Sequence, residues 1–165
     1  MGLERVDVVD AADRVIRAVT RAEMRAGNLL HRNVAVLCLN GQGEIYVQQR
    51  TDTKDVFPGL YDAFVGGVVS ASEPYDLAAK REIAEELGIV GATPERLFKG
   101  LYEDEHTRAF TTVYRVVYDG PIVHQASEVQ WGGFRTREQV LANDAGWRFV
   151  PDGWHFLQEY CRRYP

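Results

Sequence analysis

The chain has 165 residues, enough for one domain with a substantial core and no covalent staples. Hydrophobic residues make up 45% and charged residues 26%, which excludes intrinsic disorder. A formal net charge of -5 excludes a general binder of nucleic-acid polymers, though not of a small phosphorylated ligand whose charge a divalent cation would balance.

The opening run MGLERVDVVD carries charges where a secretory leader needs apolar residues, and Val6 stands where myristoylation of Met1-Gly2 needs Ser or Thr. The longest apolar run, Val34 to Leu39, is too short to cross a bilayer, so no membrane association is expected. Cys38 and Cys161 lie far apart without zinc spacing and read as free thiols, and the expected compartment is the cytoplasm.

In chain order, Arg5–Val9 and Arg14–Ala18 read as strands around the polar turn Asp10–Asp13. Thr20 and Glu23 have capping-box spacing for a short helix ending near Gly27-Asn28. Val34–Leu39, the turn Asn40–Gly43 and Glu44–Arg50 form the clearest predicted hairpin, with Ile45 and Val47 facing away from Tyr46 and Gln48. A long loop through Phe57-Pro58-Gly59 leads to a strand at Tyr61–Val65 that Gly66-Gly67 is expected to break. A helix over Tyr75–Leu87 ends at Gly88. Strands follow at Leu97–Tyr102, Ala109–Tyr118 and Val129–Phe134. Thr136 and Gln139 open another helix toward Ala142, and a last helix after Pro151 carries a predicted core stripe of Trp154, Leu157, Cys161 and Tyr164. This mixture predicts a layered α/β domain with a mixed sheet.

In REIAEELG (Arg81–Gly88), Glu82, Glu85 and Glu86 stand three and four positions apart, so their carboxylates share about a third of the helix circumference. Leu77, Ile83 and Leu87 are expected to anchor the other side. Three like charges so close destabilise a helix unless balanced, and hard oxygen ligands suit magnesium. A Glu-rich stripe is also the usual composition of a solvated helix face, so this octapeptide alone decides nothing.

The flanking residues decide it. From Gly67, Glu73 follows six places on and Arg81-Glu82 after seven more, then Ile83, Glu85-Glu86, Gly88 and Ile89. Every fixed position of the Nudix signature is matched, and the chain resembles that family. The resemblance implies an α/β/α sandwich over residues 1–165, with an N-terminal extension of about thirty residues and the motif at 67–89. It implies Mg2+ (or Mn2+) ligated by Glu82, Glu85, Glu86 and the Gly67 carbonyl, with the three glutamates catalytic and Glu73 and Arg81 supporting the loop. A water must lose a proton to a general base, for which Glu85 or a later acid (Glu128, Glu105 or Glu103) is a candidate. The implied activity is cleavage of a diphosphate linkage in a small phosphorylated substrate, a nucleoside diphosphate derivative. A homodimer is one assembly the resemblance admits.

Leu29–Asp62 and the segment before it resemble the isopentenyl-diphosphate isomerase-like branch, in which residues matching Arg50 and Lys54 hold the diphosphate. An isomerase-type enzyme is therefore one alternative. However, Gly66 stands at the position of the isomerase cysteine, and Val68 and Met24 at those of metal-binding histidines; only His31 matches. A catalytically silent nucleotide-binding module is the other alternative. Glu103-Asp104-Glu105-His106 reads as a solvated loop rather than a second metal cluster, Trp131 and Phe134 as core rather than a base-stacking platform, and His124 and His155 as surface or packing residues.

Overall fold

A computed structural model describes residues 3–165; Met1 and Gly2, weighed above for myristoylation, lie outside the described residues. A small antiparallel sheet joins β1 (Arg5–Val9) to β2 (Val15–Thr20), and α1 (Arg21–Ala26) follows with the full Thr20/Glu23 capping box. Then come β3 (His31–Leu39), β4 (Ile45–Arg50), β5 (Tyr61–Asp62), β6 (Val65–Val68), α2 (Tyr75–Leu87), β7 (Glu95–Glu103), β8 (Arg108–Val117), β9 (Val129–Arg135), α3 (Arg137–Ala142) and α4 (Pro151–Arg163). Among the described residues no helix is long and apolar enough to cross a membrane.

The main sheet is mixed: β3 runs parallel to β8, and its other pairings are antiparallel. Alternation along β3 divides the core between its faces. Val34, Val36 and Cys38 pack with Ala78, Ala79, Ile83 and Leu87 of α2, whereas Ala35 and Leu37 pack with Phe156, Leu157 and Tyr160 of α4. The result is an α/β/α sandwich.

Several expectations are corrected. The turn Asn40–Gly43 forms, with Asn40 Oδ1 accepting from the Gln42 and Glu44 amides. Yet β3 and β4 pair in register only at Leu39–Ile45. Beyond that point β6 pairs with Asn33–Val36 of β3, and β5 with Gln48-Gln49 of β4. The hairpin arms therefore part and leave a cleft through the sheet. Gly66-Gly67 do not break a strand but lie inside β6. At Gly66, φ is 154° and an added Cβ would lie 2.0 Å from the Val34 carbonyl oxygen, so only glycine admits this pairing.

Leu77 is 55% exposed and anchors nothing, because it lies roughly 120° around the helix from Ile83. On α4 the fully buried face is Gly153, Phe156, Leu157 and Tyr160; Trp154, Cys161 and Tyr164 flank it, partly buried. Both cysteines are free thiols, and burial pushes that of Cys38 up to about 12.

Candidate active site

The cleft between β3 and β4 opens into a cavity of about 460 Å³. Three groups of residues reach it. From β6 and α2 come Gly67, Arg81, Glu82, Glu85 and Glu86; from β4 and the loops after β4 and β8 come Arg50, Lys54 and Glu128; from β5 and α4 come Asp62 and Asp152. A helix stripe supplies the first group because α2 packs Ala79, Ile83 and Leu87 against the sheet, which rolls Glu82 and Glu86 toward the cleft. Glu82 and Glu86 are buried, whereas the Glu85 side chain is 49% exposed.

Arg81 organises this group. Its guanidinium donates to both oxygens of Glu73 at 2.8 and 2.9 Å, to Glu82 at 2.8 Å and to Glu85 at 3.4 Å. Glu73 also accepts from the Ser70 amide, tying the loop before α2 to the helix. The Arg81 hydrogen bond, reinforced by the Ser70 amide, holds the Glu73 carboxyl below the usual range. Glu86 makes no salt bridge among the described residues; its carboxylate accepts from the Gly66 amide at 2.8 Å. Burial pushes Glu82 up to about 7 against the opposing pull of Arg81, and burial with the nearby Glu82 charge pushes Glu86 well above its ordinary value.

Among the described residues, no three carboxylate, imidazole or thiol side chains are drawn around one point, since Arg81 holds Glu82 and Glu85. The donor set nonetheless suits a hard divalent ion. Glu86 is a buried carboxylate with no salt-bridge partner among the described residues, Glu82 shares its cavity, and the Gly67 backbone comes so close that an added Cβ would lie 3.0 Å from Glu82 Oε1.

Arg50 and Lys54 both line the cavity; Arg50 donates to the Val56 carbonyl at 3.0 Å, and Lys54 pairs with Glu128. Of the three later glutamates considered as general base, Glu128 lines it and Glu103 and Glu105 do not. Glu103 ends β7, paired with Arg108 at 2.8 Å, and the Glu105 side chain is 85% exposed. Asp104 accepts from the His106 and Thr107 amides, so that acidic run is an ordinary turn. Trp131 packs with Tyr61 and Trp147, away from the cavity, Phe134 packs edge-on against Tyr46, and His124 meets the Tyr46 hydroxyl. His155 lies beside Tyr102.

Sequence reasoning missed Asp62, Asp152, Gln48, Thr111 and Arg25, which also line the cavity. They share no motif spacing, being gathered from five elements, so no local signal marks them. Burial, with Asp152 nearby, pushes the Asp62 carboxyl up to about 7, and burial likewise raises Asp152.

A family model for the NUDIX domain matches residues 29–158. The chain belongs to the Nudix family. An uncharacterized Nudix hydrolase of Streptomyces coelicolor is 45% identical over 96% of this chain and 87% of its own length. The uncharacterized Nudix hydrolase YfcD of Escherichia coli is 37% identical, covering 97% and 88%. The crystal structure of DR0079 from Deinococcus radiodurans superposes with a TM-score of 0.82 at 27% identity, over 94% of this chain and 98% of that one. The protein is thus an enzyme, a Nudix hydrolase.

Proposed function

We propose that this Nudix hydrolase cleaves the diphosphate linkage of a small nucleoside diphosphate derivative with the help of Mg2+ or Mn2+. The observation that carries the reading is the pair Glu82 and Glu86: two buried carboxylates of one helix, only one of them balanced by an arginine, on a cavity that also holds Arg50 and Lys54.

In this reading Glu82, Glu85, Glu86 and the Gly67 carbonyl hold the metal, and Arg81 with Glu73 keeps the turn and the helix in place. The bound cation supplies charge neutralisation at the phosphoryl oxygens and a lowered pKa for an attacking water. Arg50 and Lys54 contact the diphosphate with charge-assisted hydrogen bonds and orient it for in-line attack. Glu128, beside Lys54, accepts the proton of the attacking water; Glu85, the most exposed of the three helix glutamates, is the second candidate for that step. Glu103 and Glu105 are dropped from this role because neither lines the cavity.

The isomerase alternative lacks support. Neither cysteine lines the cavity, and His31 is buried elsewhere with Nδ1 2.8 Å from the Leu29 carbonyl, its pKa pulled down to about 4 by burial.

Purified protein is incubated with nucleotide sugars, dinucleoside polyphosphates, ADP-ribose and nucleoside triphosphates, with and without magnesium. Metal-dependent release of two phosphorylated products from at least one is expected, with Glu86→Gln lowering the rate by orders of magnitude. Absence of turnover across the panel while magnesium binds would favour a silent binding module.

A further inference from the structure

The segment before residue 29 lies outside the family match, yet it grips the turn that leads into α2. Val6 of β1 bridges Ser70, the Arg5 carbonyl accepts from the Ala71 amide at 2.8 Å, and Asp7 Oδ2 accepts from the Ser72 amide at 2.9 Å. Three consecutive residues of β1 thus hold three consecutive residues of the turn.

Asp7 is out of character for its place. Aspartate is depleted in strands, and a carboxylate taken out of water is costly without a cation. Asp7 is 8% exposed and makes no salt bridge among the described residues. Its neighbours Val6 and Val8 point to the other face of β1 and pack with Val19, Met24 and Val68, so Asp7 adds nothing to that core.

What Asp7 holds is a strained residue. Ser72 has a φ of 64°, in the left-handed region that L side chains seldom occupy. The next residue is Glu73, whose two oxygens both accept from Arg81, and Arg81 reaches Glu82 and Glu85. A path of hydrogen bonds therefore runs from Asp7 across one residue to Glu73, Arg81 and two helix glutamates. The hairpin is itself fixed at its far end. Asp13 accepts from Arg32 of β3 at 2.7 Å, from Lys99 of β7 at 2.8 Å and from the hydroxyl of Tyr75, the first residue of α2, at 2.9 Å.

We infer that Asp7 is a positioning residue for the hydrolysis: it locks Ser72 in the left-handed turn and so sets Glu73 and Arg81 where Arg81 aligns the helix glutamates. The inference rests on the proposal that those glutamates hold the metal.

The test compares three substitutions in the full chain. Asp7→Ala removes the acceptor, Asp7→Asn keeps an acceptor oxygen, and Val19→Ala loosens the same hairpin core from β2, which does not hold the turn. Amide hydrogen exchange at Ser72 is measured without metal, magnesium is titrated by calorimetry, and kcat and KM are taken on a nucleotide that the parent hydrolyses. In Asp7→Ala the Ser72 amide exchanges at least about tenfold faster, the scale of one hydrogen bond to a charged acceptor. Magnesium affinity and kcat each fall about tenfold, with KM within about twofold. Asp7→Asn stays within about threefold of the parent in every measurement, and Val19→Ala does so in magnesium affinity and kcat, whatever its Tm. If Asp7→Ala does not fold, Asp7→Val takes its place, being favoured in a strand and equally without an acceptor.

Unchanged exchange at Ser72, faster exchange with magnesium affinity and kcat both intact, or an equal loss in Val19→Ala overturns the positioning role. Faster exchange and a lower kcat in Asp7→Ala, in a protein that binds no magnesium, leave the role of Asp7 standing and count against the metal reading. Magnesium-dependent turnover that ignores every substitution does the reverse.

Discussion

Gly66 and Gly67 are neighbours, yet a methyl group added to each meets a different obstacle. At Gly66 it would strike the Val34 carbonyl at 2.0 Å in a backbone conformation closed to L side chains, and neither the backbone nor β3 can yield. Gly66→Ala therefore costs at least about 3 kcal/mol and lowers Tm sharply in a thermal melt. At Gly67 the obstacle is the Glu82 carboxylate at 3.0 Å, the movable end of a side chain. Gly67→Ala is expected to shift Tm by much less and, at the proposed metal site, to lower magnesium affinity, measured by titration; a Tm loss as large as that of Gly66→Ala would contradict this. Arg81 makes a similar distinction of chemistry from charge. Its fork bonds Glu73 twice and reaches Glu82 and Glu85, a geometry lysine cannot reproduce. Arg81→Lys is expected to lower activity about tenfold or more, which one steady-state comparison checks.

At the scale of the element, α2 has two separable faces. Ile83 is 1% exposed in the core beneath the helix, whereas Leu77 points to solvent. Chemical denaturation of Ile83→Ala should show a loss of about 2–5 kcal/mol, and that of Leu77→Ala a change within about 0.5 kcal/mol. Glu82, Glu85 and Glu86 lie between these extremes. Periodicity places all three on one stripe, but only the packing of Ala78, Ala79 and Ile83 against β3 and β6 determines that Glu82 and Glu86 turn inward while Glu85 stays at the rim.

For the whole molecule, buried acids on the cavity couple stability to pH. Asp62 titrates near 7 in the fold against 3.8 for an unperturbed aspartate. Between those values the folded state keeps a proton that the unfolded state has lost. This group's stabilising share is complete below 3.8 and is lost as pH rises toward 7. In metal-free buffer, Asp62→Asn should make the fall in Tm across that interval shallower; an unchanged slope would show that Asp62 ionises freely in the fold. Glu82 acts in the same sense. At the proposed metal site, magnesium bound to the ionised glutamates would offset this loss, so magnesium should raise Tm more at pH 8 than at pH 5, and less in Glu86→Gln.

How much of this was legible beforehand follows from the range of the interactions. The capping boxes at Thr20/Glu23 and Thr136/Gln139 formed as spaced, since each joins residues within one turn. The motif from Gly67 to Ile89 marked the family and the helix for the same reason: its residues are bound together by helical periodicity and one short turn. The cleft was not legible, because it exists only where β3 and β4 exchange each other for β6 and β5, partners that a hairpin pattern gives no reason to expect. Asp62, Asp152, Gln48 and Thr111 escaped notice because each belongs to a different element and acquires its meaning only from the others around the cavity. Local spacing thus determined which chemistry the chain carries. The tertiary structure decided which carboxylates are stripped of water and what else faces them, since desolvation depends on long-range packing that no short stretch of chain encodes.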